Sequence, residues 1–162
     1  MRLENRKYLF FLALLIGIAV AIAACTRTES FATVNTNSDG VALKGFDAVA
    51  YFAADKAVEG NKTYEYAWNG ARWLFSSADN LEKFKKNPVA YAPQFGGYCS
   101  FAVSKGYTAD GDPNAWKVVD GKLYLNYSPE VKEKWEQDQK ENIKKAETNW
   151  VGFKVKKPEH KG

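Results

Sequence analysis

Residues 63–99 read TYEYAWNGARWLFSSADNLEKFKKNPVAYAPQFGGYC, and this stretch decides the fold. Aromatic and β-branched residues at 63–68 and 71–75 flank Asn69-Gly70. Both turn positions of a two-residue hairpin loop need positive φ, which Asn-Gly supplies at little cost, so the segment predicts an antiparallel hairpin. Ser76-Ser77-Ala78-Asp79 follows, with a serine three residues ahead of an acid. That capping-box spacing opens a helix. Leu81 and Phe84 share one face of it, with Lys83, Lys85 and Lys86 elsewhere. Asn87-Pro88 ends this helix and starts a second short one, Pro standing at its first position. Val89 and Tyr91 are expected to pack inward. The stretch closes on Phe95-Gly96-Gly97-Tyr98-Cys99, whose sulfur is the one atom of obvious chemical interest.

Downstream, the same logic recurs. Residues 116–119 and 122–127 flank Asp120-Gly121, a second hairpin signal. Lys122, Tyr124 and Asn126 alternate with Leu123, Leu125 and Tyr127, which predicts one drier face. Ser128-Pro129-Glu130 then opens a long helix through about Asn149, with Val131, Trp135, Ile143, Ala146 and Trp150 at helical spacing. Upstream, Gly45-Phe46-Asp47 leads into residues 48–52, a short apolar run that predicts a buried first strand. Residues 53–61 form a charged loop. No internal repeat is evident along the chain. Tight hairpins and helices in mixed order, without long crossovers, predict a small α+β domain. Its expected parts are a mainly antiparallel sheet built from two hairpins, two short helices and one long C-terminal helix.

The N-terminus speaks to location. Arg2, Arg6 and Lys7 precede an uncharged apolar run to Ala24, and Ala23-Ala24 stands before Cys25. Basic, apolar, then small residues is the layout of a secretory signal peptide. Cysteine after Ala-Ala resembles a bacterial lipobox, in which the Cys is acylated. Residues 1–24 are thus expected to be a signal peptide, 25–40 a lipidated cysteine and flexible tether, 41–153 one domain and 154–162 a charged tail. The location expected is extracytoplasmic, anchored to a bacterial membrane on the periplasmic or outer-membrane side, with membrane lipid a partner through acylated Cys25. An uncleaved membrane anchor is the alternative.

Losing residues 1–24 leaves 20 basic and 18 acidic residues, a net charge of +2, which gives no reason to expect a nucleic-acid partner. With Cys25 acylated, Cys99 is the remaining thiol in an oxidising compartment, so no internal disulfide forms. His160 lies in the tail, which excludes a Ser/His/Asp triad within the domain. Gly96-Gly97 lacks the Lys-Ser/Thr of a phosphate loop.

Residues 66–77, Tyr66-Ala67-Trp68-Asn69-Gly70-Ala71-Arg72-Trp73-Leu74-Phe75-Ser76-Ser77, and 84–91, Phe84-Lys85-Lys86-Asn87-Pro88-Val89-Ala90-Tyr91, resemble the YHS domain. The usual pattern there is an aromatic hairpin around a Gly, Phe-Cys-Ser, a Cys four residues after that first Cys, a Phe, and Asn-Pro ending in Tyr. The continuation from Gly96-Gly97-Tyr98-Cys99 to Asn126-Tyr127 looks like an exported YHS-like subfamily that includes selenoprotein members. The departures matter. Metal-binding members carry cysteines where this chain has Ser76 and Asn80, and many carry one near the domain start, here Gly45-Phe46-Asp47-Ala48-Val49. A tetrahedral zinc site wants four Cys or His ligands, which this domain does not offer. Copper, which prefers soft sulfur and imidazole, or another metal, would need Cys99 from two molecules or an improvised oxygen-rich site.

Two function classes remain. The first is a small redox or metal-handling module centred on the Cys99 thiol, with Lys105 stabilising a thiolate and Asp47 and Tyr51 as helpers. The resemblance to selenoprotein members adds redox use, and a cycle would need an external thiol, since no resolving cysteine exists. The second is a non-catalytic module binding a protein or small-molecule partner, with Cys99 packed in the core. Asp47, Tyr51, Tyr98 and Trp116 are its candidate binding residues. Whether the chain is an enzyme, these residues leave open. A buried sulfur with no polar neighbour favours the second class, and an exposed sulfur beside Lys105 or Asp47 favours the first.

Overall fold

Both turn dipeptides fold as their chemistry dictates. In a computed structural model that describes residues 34–153, Asn69 and Gly70 take φ of 50° and 75°, and Asp120 and Gly121 take 50° and 71°. The expected signal peptide, Cys25, most of the tether and the tail with His160 lie outside the described residues.

The chain runs through a left-handed turn at Leu43–Gly45, helix α1 (Ala50–Ala53), strands β1 (Asn61–Trp68) and β2 (Ala71–Phe75), and helices α2 (Ala78–Lys86) and α3 (Pro88–Tyr91). A second left-handed turn at Gln94–Gly97 leads to α4 (Ser100–Ser104), strands β3 (Asp112–Val119) and β4 (Lys122–Asn126), and helices α5 (Pro129–Glu136) and α6 (Gln139–Phe153). The class is α+β. Each hairpin is antiparallel and forms its own two-stranded sheet, so the two do not merge into one.

Several local expectations are corrected. Residues 48–52 are not a strand: Asp47 turns the chain into α1 by accepting the amides of Val49 and Ala50 with Oδ1, at 2.8 and 3.3 Å. A five-residue apolar run carries no periodicity to separate the two states. The cap of α2 is Ser77, whose Oγ accepts from the Asn80 amide; Ser76 is engaged elsewhere. Val89 points outward at 73% exposure, while Tyr91 packs edge-on against Phe52. The long C-terminal helix is interrupted at Gln137–Asp138, where Asn142 Nδ2 donates to the freed carbonyl of Trp135. Part of the expected tether is held against the domain, the Asn35 amide donating to Gly96 O at 2.8 Å.

Strand β4 explains why no drier face exists. Leu123 and Leu125 enter a core with Tyr51, Trp73, Phe75 and Phe84. Tyr124, pointing the other way, enters a second core with Phe95, Val103, Trp135 and Ala146. Both faces are covered, as period-two side chains require when a strand lies between two layers.

The structure also reveals a repeat. Asn61 corresponds to Asp112, Gly70 to Gly121, Leu74 to Leu125 and the helix cap Ser77 to Ser128, each partner lying 51 positions further on. Even the register irregularity recurs: it falls between Asn61 and Glu65 in one hairpin and between Asp112 and Trp116 in the other. Upstream the match continues with one residue inserted. Leu43, Lys44 and Gly45 at φ of 51°, 52° and 91° answer to Phe95, Gly96 and Gly97 at 54°, 62° and 82°. Asp47 donates its amide to Val58 O, and Cys99 donates its amide to Ala109 O, both at 2.8 Å. Two copies of one unit are present, though their side chains have diverged.

Candidate functional site

Asp47 and Cys99 hold the same place in the two copies: after the left-handed turn, before a short helix. What each does there differs.

The Asp47 carboxylate is fully buried. Besides the two amides of α1 on Oδ1, its Oδ2 accepts from the Ser76 amide at 2.8 Å, Ser76 Oγ at 2.6 Å and Asn80 Nδ2 at 2.7 Å. Five donors converge on one anion, and such charge-assisted bonds replace the lost hydration. The carboxylate therefore ties the start of α1 to the β2–α2 turn. Ser76 and Asn80, where metal-binding relatives of the sequence pattern carry cysteines, are the partners of this anion. Both donate through N–H or O–H groups, and no thiolate is present, so the trio does not fit a sulfur-seeking metal. Among the described residues no three His, Cys, Asp or Glu side chains cluster.

Cys99 is 1% exposed. Its Sγ accepts the Ala102 amide at 3.4 Å, the counterpart of the Ala50 amide on Asp47. The thiol in turn lies 3.9 Å from Asn126 Oδ1, which also accepts the Phe101 amide at 3.2 Å. So the sulfur is buried, yet it has polar neighbours. Asn126 Nδ2 and Ser100 Oγ, both buried beside it in sequence or space, have no hydrogen-bond partner among the described residues.

The other candidates are not gathered around Cys99. Lys105 is exposed and its ammonium lies 4.7 Å from the Phe101 ring centroid, a cation–π contact. Asp47 is committed to its own unit. Tyr51 is buried, donates its hydroxyl to Pro113 O at 3.0 Å and meets Trp116 edge-on at 5.1 Å. Burial, then the charges of Asp112 and Asp47, raise its pKa far above the ordinary phenol value. Tyr51 and Trp116 thus join the two copies across the core. Tyr98 is half-buried with a raised pKa, from burial first and the Asp110 carboxylate second, and packs on Trp150.

Trp68, Trp73, Trp116 and Tyr124 are aromatic enough to suggest a pocket from sequence, but the structure gathers only the first two of them at a groove. This open groove of about 210 Å³ lies between the first hairpin and the second core, lined by Trp68, Phe95 and Trp150 together with Asn69, Pro93 and Gln94, with Trp73 buried beneath and Val89 at the rim. Among the described residues no charged side chain lines it. The aromatic content was visible in the sequence, but which rings converge depends on α6 folding back.

The comparisons with known proteins agree with the first copy alone. The family model described as YHS domain matches residues 49–95. No curated protein and no solved structure matches the chain.

Proposed function

We propose that this chain, whose residues 49–95 match the YHS domain model, is a non-catalytic binding module that receives an apolar side chain of a partner protein. The observation that carries the reading is the aromatic groove. Its volume is below the roughly 300–1,000 Å³ of pockets for drug-sized ligands, which suits one aliphatic or aromatic anchor. Aromatic walls are the usual setting of such anchors, since rings bury much area at little entropic cost. Val89, a large apolar residue left outside, extends the contact surface beyond the cleft.

The competing reading, a redox or metal-handling thiol, has less support. The Cys99 sulfur faces the core, its polar contacts are Ala102 N–H and the Asn126 side chain, and Lys105 is engaged with Phe101. No sulfur-rich or His-rich cluster offers copper a home among the described residues. The same proposal places the module outside the cytoplasm on a lipidated Cys25, on the strength of the basic, apolar and Ala-Ala-Cys order of residues 1–25. Among the described residues no helix is long and apolar enough to cross a membrane.

The test is a titration of the labelled protein with N-acetyl-leucinamide and N-acetyl-phenylalaninamide, followed by the indole N–H resonances. Saturable shifts of Trp68 and Trp150, weakened at least tenfold by Val89→Asp or Trp150→Ala, are expected. Resonances that stay fixed through the titration would remove the groove as a binding site.

A further inference from the structure

The described chain begins at the aromatic groove. Val34, its first residue, lines the groove alongside Trp68, Phe95 and Trp150. It is pinned there. The Asn35 amide donates to the carbonyl of Gly96, itself a lining residue, at 2.8 Å, and Thr36 pairs with Ala42 in an antiparallel bridge. Val34 also packs against the first core. The chain that precedes it therefore joins the domain at the groove.

Residues 25–33 read Cys-Thr-Arg-Thr-Glu-Ser-Phe-Ala-Thr, in which Phe31 is the only large apolar side chain. It stands three positions before Val34. An extended chain spans at most about 3.3–3.6 Å per residue, so the Phe31 Cα has a reach of about 10 Å from the Val34 Cα. That reach covers a groove of about 210 Å³ that Val34 itself lines. The volume is below that of pockets for drug-sized molecules and suits a single ring. Charge agrees with size. Among the described residues no charged side chain lines the groove, and Ser30-Phe31-Ala32-Thr33 carries no charge either. The segment beyond Trp150 is the wrong kind of occupant. Residues 154–162 read KVKKPEHKG, with four lysines and a glutamate around the one aliphatic residue, Val155.

We infer that Phe31 occupies the aromatic groove in the free protein, so that a partner's apolar anchor gains the site only by displacing it. The inference rests on the groove being a site for an apolar side chain, as proposed above, and adds that the chain carries its own competitor. A group tied to its site by so short a linker acts at an effective concentration in the mM range, so a weak contact holds it. The half-buried rings of Trp68 and Trp150 are then covered until a partner arrives, which limits non-specific association. Apparent affinity scales with the fraction of molecules whose groove is open, so a groove open in about one-fifth of them binds about fivefold more weakly.

The experiment follows the Trp68 and Trp150 indole resonances of the 162-residue chain, with N-acetyl-phenylalaninamide as the probe. Nuclear Overhauser contacts from the Phe31 ring to both indoles are expected in the free protein. Phe31→Ala should remove them, shift both indole signals and tighten the probe at least fivefold, while the spectrum keeps its folded dispersion. Val155→Ala should change none of these. Equal probe affinity in wild type and Phe31→Ala, with no ring contacts, would overturn the inference and leave the groove reading standing. A probe that binds neither protein overturns both. Indole positions that move with protein concentration would put a second copy in the groove, and tightening by Val155→Ala would put the tail there. Either result sinks the inference.

Discussion

Asp47 shows how much one side chain can hold. Its five bonds join α1 to the β2–α2 turn, and removing the anion orphans several buried donors at once. Each such donor costs about 1–3 kcal/mol. Asp47→Ala is therefore expected to lower stability by at least about 3 kcal/mol, read from the midpoint of urea unfolding. Asp47→Asn should cost less, since an amide keeps one acceptor but turns its donors on Asn80. Cys99 makes the opposite kind of statement. A sulfur this buried should resist alkylation until the chain unfolds, so the folded-state rate should follow global opening instead of thiolate fraction. Fast labelling of native protein by iodoacetamide would contradict that placement and reopen the redox reading. The residue scale is also where the sequence was least legible. Asp47, Cys99, Tyr51 and Lys105 were all visible as chemically capable groups. Their partners, Ser76, Asn80, Asn126 and Phe101, were fixed by packing that no spacing encodes.

Elements were easier to read where a backbone constraint spoke through residue type. Asn69-Gly70, Asp120-Gly121, Ser128 and Pro88 each announced a turn or a helix start, because positive φ, an amide acceptor or a missing N–H narrows the choice of residue. Residues 48–52 failed because five apolar residues fit a strand and a buried helix equally. The C-terminal helix was overextended because nothing in Gln137-Asp138 forbids helix; the break follows from where α5 and α6 must pack. The repeat was hidden for a related reason. Gly60 and Gly111, Gly70 and Gly121, Leu74 and Leu125, and Ser77 and Ser128 coincide, while other paired positions in the hairpins carry different residues. Backbone requirements were kept and side chains were not. Two predictions belong here. Gly111→Ala, whose Cβ would collide with Gly97 O, should destabilise by more than about 2 kcal/mol, and Gly106→Ala, where φ is 87° but space is open, by about 1. Thermal melts of the two variants side by side check the order.

At the scale of the molecule, charge and burial set the limits of stability with pH. Tyr124 lies in the second core, and burial first, then the carboxylates of Glu147 and Asp120, push its pKa up to about 12. The folded state thus keeps a proton that the unfolded chain releases near 10. Stability from this group is complete below pH 10 and declines between 10 and about 12, with Tyr51 acting in the same direction. Alkaline denaturation followed by circular dichroism should begin above pH 10, and Tyr124→Phe should soften the decline. The acid side is governed differently. Glu136 accepts from Lys117 at 2.7 Å and lies 3.2 Å from Lys132, and those contacts hold its carboxyl below the ordinary value. Its contribution is present above about pH 4.5 and disappears as pH falls through the lower folded value. It is small, as partly exposed pairs are. Glu136→Gln should cost about 0.5 kcal/mol at pH 7 and nothing at pH 2, by urea unfolding at the two values.

The placing of β4 between two layers has a consequence for how the chain reaches its native state. Each hairpin closes over a two-residue loop, and each cap acts within a few positions, so most early contacts are local and quick to find. The first unit completes its inner surface only when Leu123 and Leu125 arrive, from a strand that belongs to the second. A ribosome delivering this chain from its N-terminus would expose Trp73, Phe75 and Phe84 for as long as it takes to synthesise the following forty or so residues. The interval before β4 emerges is when the nascent protein is most open to misassociation.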